Sequence, residues 1–516
     1  MLFNSYSFVF EFLPITLILF LVFAYKSHKL ALWWLVFASL LFYAYWNPSY
    51  LVLLLISIGF NFSIGKKISV VNQDNPQYAK YLLIFGLIIN TTLLVYYKYL
   101  GFVIDNFNEL TGYNFQNPHI ILPLGISFFT FTQIAFLVDT YKKSAKEFNI
   151  SHYALFVTYF PHLIAGPILH HKEMMPQFAN PTIYKLNWNN LAIGFSIFFT
   201  GLFKKLLLAD DIANYVKPVF DEVASGQPVS LLDAWGGALA YSFQLYFDFS
   251  GYSDMAIGLS LLFGIKLPLN FASPYKATSI IDFWRNWHMT LSRFLRDYIY
   301  IPLGGNRNGY VRRYLNLLIT MVLGGAWHGA NWTFILWGGL HGIYLLINHL
   351  WRDSNLKLLM SEKVPPLISD KLCLLITFGA VVVGWAIFRA ENVMAAKLML
   401  EGMFGMNGIK IPIKWSGYFG QMKEYLVTQG VKFENTNTFN AGKLPLRLLI
   451  CFVIIWCVPN TQEFFSRYKP ALTMTESNKK WWQWQPSYIW LIIISIIATS
   501  GILSLGQLSE FIYFQF

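Results

Sequence analysis

Charge is scarce in this chain. Only 12% of its 516 residues are Asp, Glu, Lys or Arg, against 56% hydrophobic and 18% aromatic. That excludes an ordinary soluble enzyme, because apolar runs of about 20 residues recur and read as transmembrane helices. Cysteine is nearly missing. Cys373, Cys451 and Cys457 lie in apolar runs without metal-ligand spacing and read as buried small hydrophobes, so no metal is expected. The first apolar run lacks a basic start and a small-residue cleavage site, so no cleavable signal peptide is expected. Internal repeats, low-complexity tracts and anything resembling a second soluble or sugar-binding domain are missing too. Acidic residues are outnumbered 26 to 38, for a net charge of +12. In a membrane protein the ordinary cause is Lys and Arg in cytoplasmic loops, so no nucleic-acid partner is expected.

Apolar runs at 8–25, 30–46, 49–64, 81–97 and 120–138 read as five spans. With the N-terminus outside, the inner connections hold Lys26, Lys29, Lys66, Lys67, Lys80, Lys142, Lys143 and Lys146, and the outer ones hold Lys98 alone. The positive-inside rule then favours an external N-terminus. Further spans are expected near 188–209, 231–249, 372–390, 444–460 and 487–506, with Lys357, Lys363 and Lys479 in inner loops and the C-terminus outside. The 391–443 segment reads as an outer loop with an interfacial piece.

Between 151 and 313 the pattern blurs. His162, His170 and His171 lie near Pro161, Gly166 and Pro167, and read as a solvated or interfacial turn rather than as metal ligands. Asp248 and Asp254 are carboxylates within apolar sequence. Structural pairing with Lys266 or Arg293 is the safer reading, and orienting an arginine or histidine in a cavity is the other.

The chain is organised around residues 279–342. The first part, SIIDFWRNWHMTLSRFLRDYIYIPLGGNRNG, reads as one amphipathic interfacial helix. Ser279 and Asp282 have capping-box spacing at its start, and Pro302 and Gly304-Gly305 stop it. Its arginines would face anionic groups, either lipid headgroups or a ligand. The second part, LNLLITMVLGGAWHGANWTFILWGGLHG, is expected to break at Gly324-Gly325 and Gly329 around Ala326-Trp327-His328. His288 and His328, 40 positions apart, both sit beside tryptophans. A lone histidine in such a place is more often a core residue bonded to a carbonyl; a second one on an adjacent charged helix weakens that reading.

These two stretches, with PLGISFFTFTQIAFLVD at 123–139 and FPHLIAGPI at 160–168, resemble the membrane-bound O-acyltransferase family. The likeness is greatest to its bacterial branch, which serves O-acetylation of alginate and peptidoglycan and D-alanylation of lipoteichoic acid, and it covers most of the chain. The resemblance implies an all-α, polytopic integral membrane protein, with about 11–13 transmembrane helices plus re-entrant and interfacial helices around a central funnel. Residues 1–350 would form the catalytic membrane core, and 351–516 a C-terminal transmembrane extension with an aromatic tail, in one membrane domain. By position His328 matches the family's catalytic histidine and His288 its second motif residue, with Trp327, Asp282 and Ser292 in support. In the tail, SEFIYFQF, the resemblance makes Tyr513 a candidate acyl relay; interface anchoring is the plainer reading.

The implied activity is an acetyl-CoA-dependent O-acetyltransferase with no bound cofactor, in the bacterial inner (cytoplasmic) membrane with both termini periplasmic. It would pass acetyl outward for an exported or cell-wall polysaccharide, reached through a periplasmic esterase-like partner. His328 would act as general base. His288, the Trp327 indole, or backbone amides around Gly325 and Trp327 would steady the oxyanion. Arg285, Arg293, Arg296 and Arg307 would attract the coenzyme A phosphates, although positive-inside placement explains them equally well. A transporter built on broken helices is the rival of another class; it would require an inverted repeat, which the sequence does not carry.

Overall fold

The computed structural model describes residues 1–145, 148–164, 166–354, 365–436, 439, 443–472, 474, 480–506 and 512. Lys146, Lys357, Lys363, Lys479 and Tyr513 therefore lie outside the described residues. The chain divides into two compact units, Met1–Phe203 with Gly251–Asn270 and Thr461–Leu508, and Lys204–Ser250 with Phe271–Asn460 and Ser509–Phe516.

The described residues are mostly helical, and among them Lys410–Pro412 pairs with Lys432–Glu434 in a two-stranded parallel sheet. That sheet lies in the 391–443 segment, which the sequence reads as an outer loop with an interfacial piece. Among the described residues, Ser7–Lys26, Pro48–Asp74, Pro76–Thr111, Trp188–Ala213 and Ile368–Arg389 are long and apolar enough to cross a membrane. The bent pair Leu444–Cys457 and Thr461–Tyr468 passes as one broken span, and His28–Ala44 and Tyr488–Leu503 are shorter apolar helices. Three more helices, Leu231–Leu262, Gly309–His328 and Trp332–Asp353, are as long but carry more polar residues. The expected count of spans included such helices.

In the first unit, two long helices begin with the same device. Asn47 accepts the Ser49 N–H at 2.9 Å and Asn75 accepts the Tyr78 N–H at 3.0 Å. Each is followed by Pro48 or Pro76, whose missing N–H is an orphan at that position anyway. These helices bury a polar seam in which Asn90 donates to Asn61 Oδ1 at 2.7 Å, a bond suited to a medium without water. Their outward faces are apolar and exposed, as at Ile56 and Ile88.

The turn at 160–171, read as solvated or interfacial, is not solvated at its histidines. His162, His170 and His171 are all buried; His162 Nε2 lies 2.9 Å from the Phe156 carbonyl oxygen and His171 Nδ1 lies 3.4 Å from Asp139. Apolar neighbours such as Phe136, 5.9 Å from the His171 ring, cover the turn. Asp254 accepts from Thr461 Oγ1 at 2.6 Å and from Gln462 Nε2 at 2.9 Å.

The second unit holds the 279–342 stretch. Its centre is the packing of Gly309–His328 on Trp332–Asp353. Asn331 caps the second of these, accepting the Thr333 N–H at 3.0 Å while its own amide donates to the Glu391 carbonyl at 2.7 Å. Glycine lets the two backbones touch. A Cβ on Gly325 would collide with the Phe334 carbonyl oxygen, and one on Gly338 with the Met321 carbonyl oxygen.

Candidate active site

The amphipathic stretch does not form one helix. Ile280–Asn286 and Met289–Leu295 are separate, joined through extended Trp287 and by His288 at φ 41°, ψ 52°, and the chain closes with a wider turn at Arg296–Tyr300. A left-handed residue with a Cβ costs about 1–2 kcal/mol and persists only when its surroundings fix it. Here they do. The Ser292 N–H donates to the His288 carbonyl at 3.0 Å and the Ser292 hydroxyl to the Trp287 carbonyl at 3.3 Å. Trp287 is wedged against Tyr275, Phe283 and Trp385, the last at 4.8 Å between ring centroids. The Ser279 cap forms as expected, accepting the Asp282 N–H at 3.2 Å. The kink turns His288 inward, to 1% exposure, instead of leaving it at the seam of a surface helix.

Gly309–His328 also departs from expectation. It runs unbroken through Gly324 and Gly325 and ends at His328, with extended Gly329 next. The glycines are there for closeness, not for a break; a Cβ on Gly324 would meet Leu295 at 3.0 Å. The amides of Gly325 and Trp327 are thus part of a helical ladder and are not free to form an oxyanion hole. His328 is the last residue of the helix, at the negative end of its dipole.

Both histidines pack against one indole. The centroid of Trp327 is 6.3 Å from that of His288 and 5.0 Å from that of His328. Phe249 packs on His288 edge-on at 4.8 Å, and Trp337 and Phe388 pack on His328 at 5.3 and 5.2 Å. His288, Trp327 and His328 are all buried. The arrangement places two rings able to give or take a proton within an aromatic wall that keeps water out.

A third histidine joins them. His341, fully buried, has its ring centroid 4.9 Å from that of Trp337 in a tilted pair, and its Nδ1 accepts the Trp284 indole N–H at 3.3 Å. That leaves Nε2 as the protonated nitrogen of the neutral ring, facing Gly384. It was missed in the sequence although it stands one turn beyond Trp337 in the same motif, a spacing that puts both on one helix face.

The remaining candidates are more peripheral. Arg285, Arg296 and Arg307 are exposed, Arg293 is half-buried, and Arg296 pairs with Asp297 at 2.7 Å. Asp248 pairs with Lys205, 2.7 Å away, and not with the Lys266 or Arg293 expected from the sequence.

Comparison with known proteins places the sequence in a family. Residues 71–357 match the model of the membrane-bound O-acyltransferase family. The chain is 41% identical to the peptidoglycan O-acetyltransferase of Helicobacter pylori over 100% of its own length and 98% of that protein. It is 42% identical to a probable alginate O-acetylase of Pseudomonas aeruginosa over 78% of its length and 75% of the relative. A teichoic acid D-alanyltransferase of Streptococcus thermophilus is 30% identical over 51% of this chain and 68% of that protein. With a family match across most of its first 357 residues and a relative aligned along its whole length, this chain belongs to the membrane-bound O-acyltransferases and is a multi-pass acyltransferase of that family.

Proposed function

We propose that this protein takes acetyl from acetyl-CoA at the cytoplasmic face of a bacterial inner membrane and passes it outward, for O-acetylation of an exported or cell-wall polysaccharide. The observation that carries the reading is the pair of buried imidazoles that both pack against Trp327, one of them ending a helix. In this scheme the acceptor hydroxyl gives its proton to His328 as its oxygen attacks the thioester carbonyl carbon. The carbon–sulfur bond then breaks, and the coenzyme A thiolate leaves and takes up a proton. The helix C-terminus stabilises the positive charge that His328 acquires, by about 0.3–1 kcal/mol. His288 or the Trp327 indole would donate to the developing oxyanion, the role left open by the helical amides.

Arg285, Arg293, Arg296 and Arg307 would hold the donor phosphates, with Asp282 and Ser292 keeping the kinked helix pair in shape. The acceptor polymer would be peptidoglycan or an alginate-type chain, reached through Tyr513 or a periplasmic esterase-like partner, with both termini periplasmic. D-alanyl transfer is the weaker alternative, since the similarity to those relatives covers half of the chain. The test is transfer across a bilayer. Proteoliposomes given labelled acetyl-CoA on one side should deliver acetyl ester to a hydroxyl acceptor on the other, and His328→Ala proteoliposomes should not. Uptake of an unmodified solute, with no ester formed, would support a transporter instead.

A further inference from the structure

The Leu231–Leu262 helix carries two features on consecutive residues. Phe249 presents its ring to His288. Asp248, just before it, is 1% exposed; one oxygen lies 2.7 Å from Lys205 Nζ, and the other accepts the backbone N–H of Ile512 at 3.1 Å. Lys205 also donates to Asp210 at 2.8 Å, so one buried ammonium is shared by two carboxylates. Ile512 is itself buried in the core of this unit, 264 positions away from Asp248 in sequence.

A buried ion pair is a weak source of stability, and well-packed apolar residues of similar size often do as well. What apolar residues cannot do is accept an N–H. A carboxylate with one oxygen neutralised by a lysine and the other turned to a distant main-chain amide is a receptor for that amide, and a charged acceptor makes roughly twice the bond of a neutral one.

We infer that Asp248, held in place by Lys205 and one position before the residue whose ring packs on His288, is the positioning residue that tethers the C-terminal segment through the Ile512 N–H. Its consequence for acetyl transfer rests on the function proposed above; the tether itself does not. Holding a chain end next to a site replaces diffusion by a local concentration on the order of millimolar. The charged pair would thus hold the Ile512 backbone on this helix rather than merely fill the core.

Hydrogen–deuterium exchange on the full-length protein in detergent, followed on the C-terminal peptide, tests this. The Ile512 amide should exchange at least about tenfold more slowly than a free amide in the wild type. Asp248→Asn, which keeps an oxygen acceptor and leaves Lys205 with Asp210, should retain most of that protection. The combination Asp248→Leu with Lys205→Met removes the acceptor without stranding an ammonium, and should lose it. Fast exchange of Ile512 in the wild type, which needs no variant to fold, overturns the proposal, as does full protection in the double variant. Acetyl transfer by the same proteins separates the two readings. A fall in kcat with unchanged KM for acetyl-CoA in the double variant supports a tether that serves transfer. Lost protection with unchanged transfer supports the tether and removes the tail from the proposed chemistry.

Discussion

Gly338 and Gly339 sit side by side in one helix and face different surroundings. A Cβ added at Gly338 meets the Met321 carbonyl oxygen, with the Met321 carbonyl carbon and Val322 Cα both at 3.1 Å, while one added at Gly339 meets nothing within 4 Å. The atoms met at Gly338 are backbone, which cannot rotate away. The Gly309–His328 and Trp332–Asp353 helices would therefore have to part by about an ångström, and overpacking of this kind costs about 1–3 kcal/mol. Because His328 ends one helix and Trp337 sits on the other, that shift falls directly on the histidine. A misplacement of about 1 Å can cost on the order of 10²-fold in rate. Gly338→Ala should thus lower the thermal midpoint in detergent and reduce acetyl transfer about a hundredfold. Gly339→Ala, gaining about 0.5–1 kcal/mol of helix stability, should keep wild-type transfer. Transfer by Gly338→Ala within twofold of Gly339→Ala, at equal stability, would refute the claim that this close contact positions His328.

The strained histidine separates backbone from imidazole. His288→Gly and His288→Ala should both lose transfer, but the glycine variant should be the more stable by about 1 kcal/mol in thermal unfolding, since alanine keeps the left-handed penalty. Trp284→Phe strands a buried acceptor on His341 and should cost about 1–3 kcal/mol, whereas Trp284→Phe with His341→Phe should recover much of it; additive losses in the cycle would show no coupling. If the arginines bind the donor, Arg285→Gln and Arg293→Gln should each raise KM for acetyl-CoA about tenfold with little change in kcat, because a charge-assisted bond contributes about 1.5–3 kcal/mol. An unchanged KM would leave them as topology determinants.

Much of this was legible in the sequence, for reasons that differ from place to place. Apolar runs mark the helices of the first unit because span length is a local property. The Ser279 cap was readable because capping is local as well. The kink at His288 was not, since local periodicity favours one continuous helix; only the packing of Trp287 against Trp385, nearly a hundred positions on, makes the break worthwhile. Gly324-Gly325 was misread as a break because glycine signals both flexibility and close contact, and the sequence alone does not say which. His341 and the Asp248–Ile512 contact depend on tertiary neighbours far along the chain.

The central claim, that His328 drives acetyl transfer from acetyl-CoA, is tested most directly by acetylation of the purified full-length protein with radiolabelled acetyl-CoA, followed by peptide mapping. The account predicts label on the wild type and none on folded His328→Ala, with the label on the C-terminal peptide, and lost in Tyr513→Phe, where Tyr513 is the relay. Equal labelling of wild type and His328→Ala would contradict it.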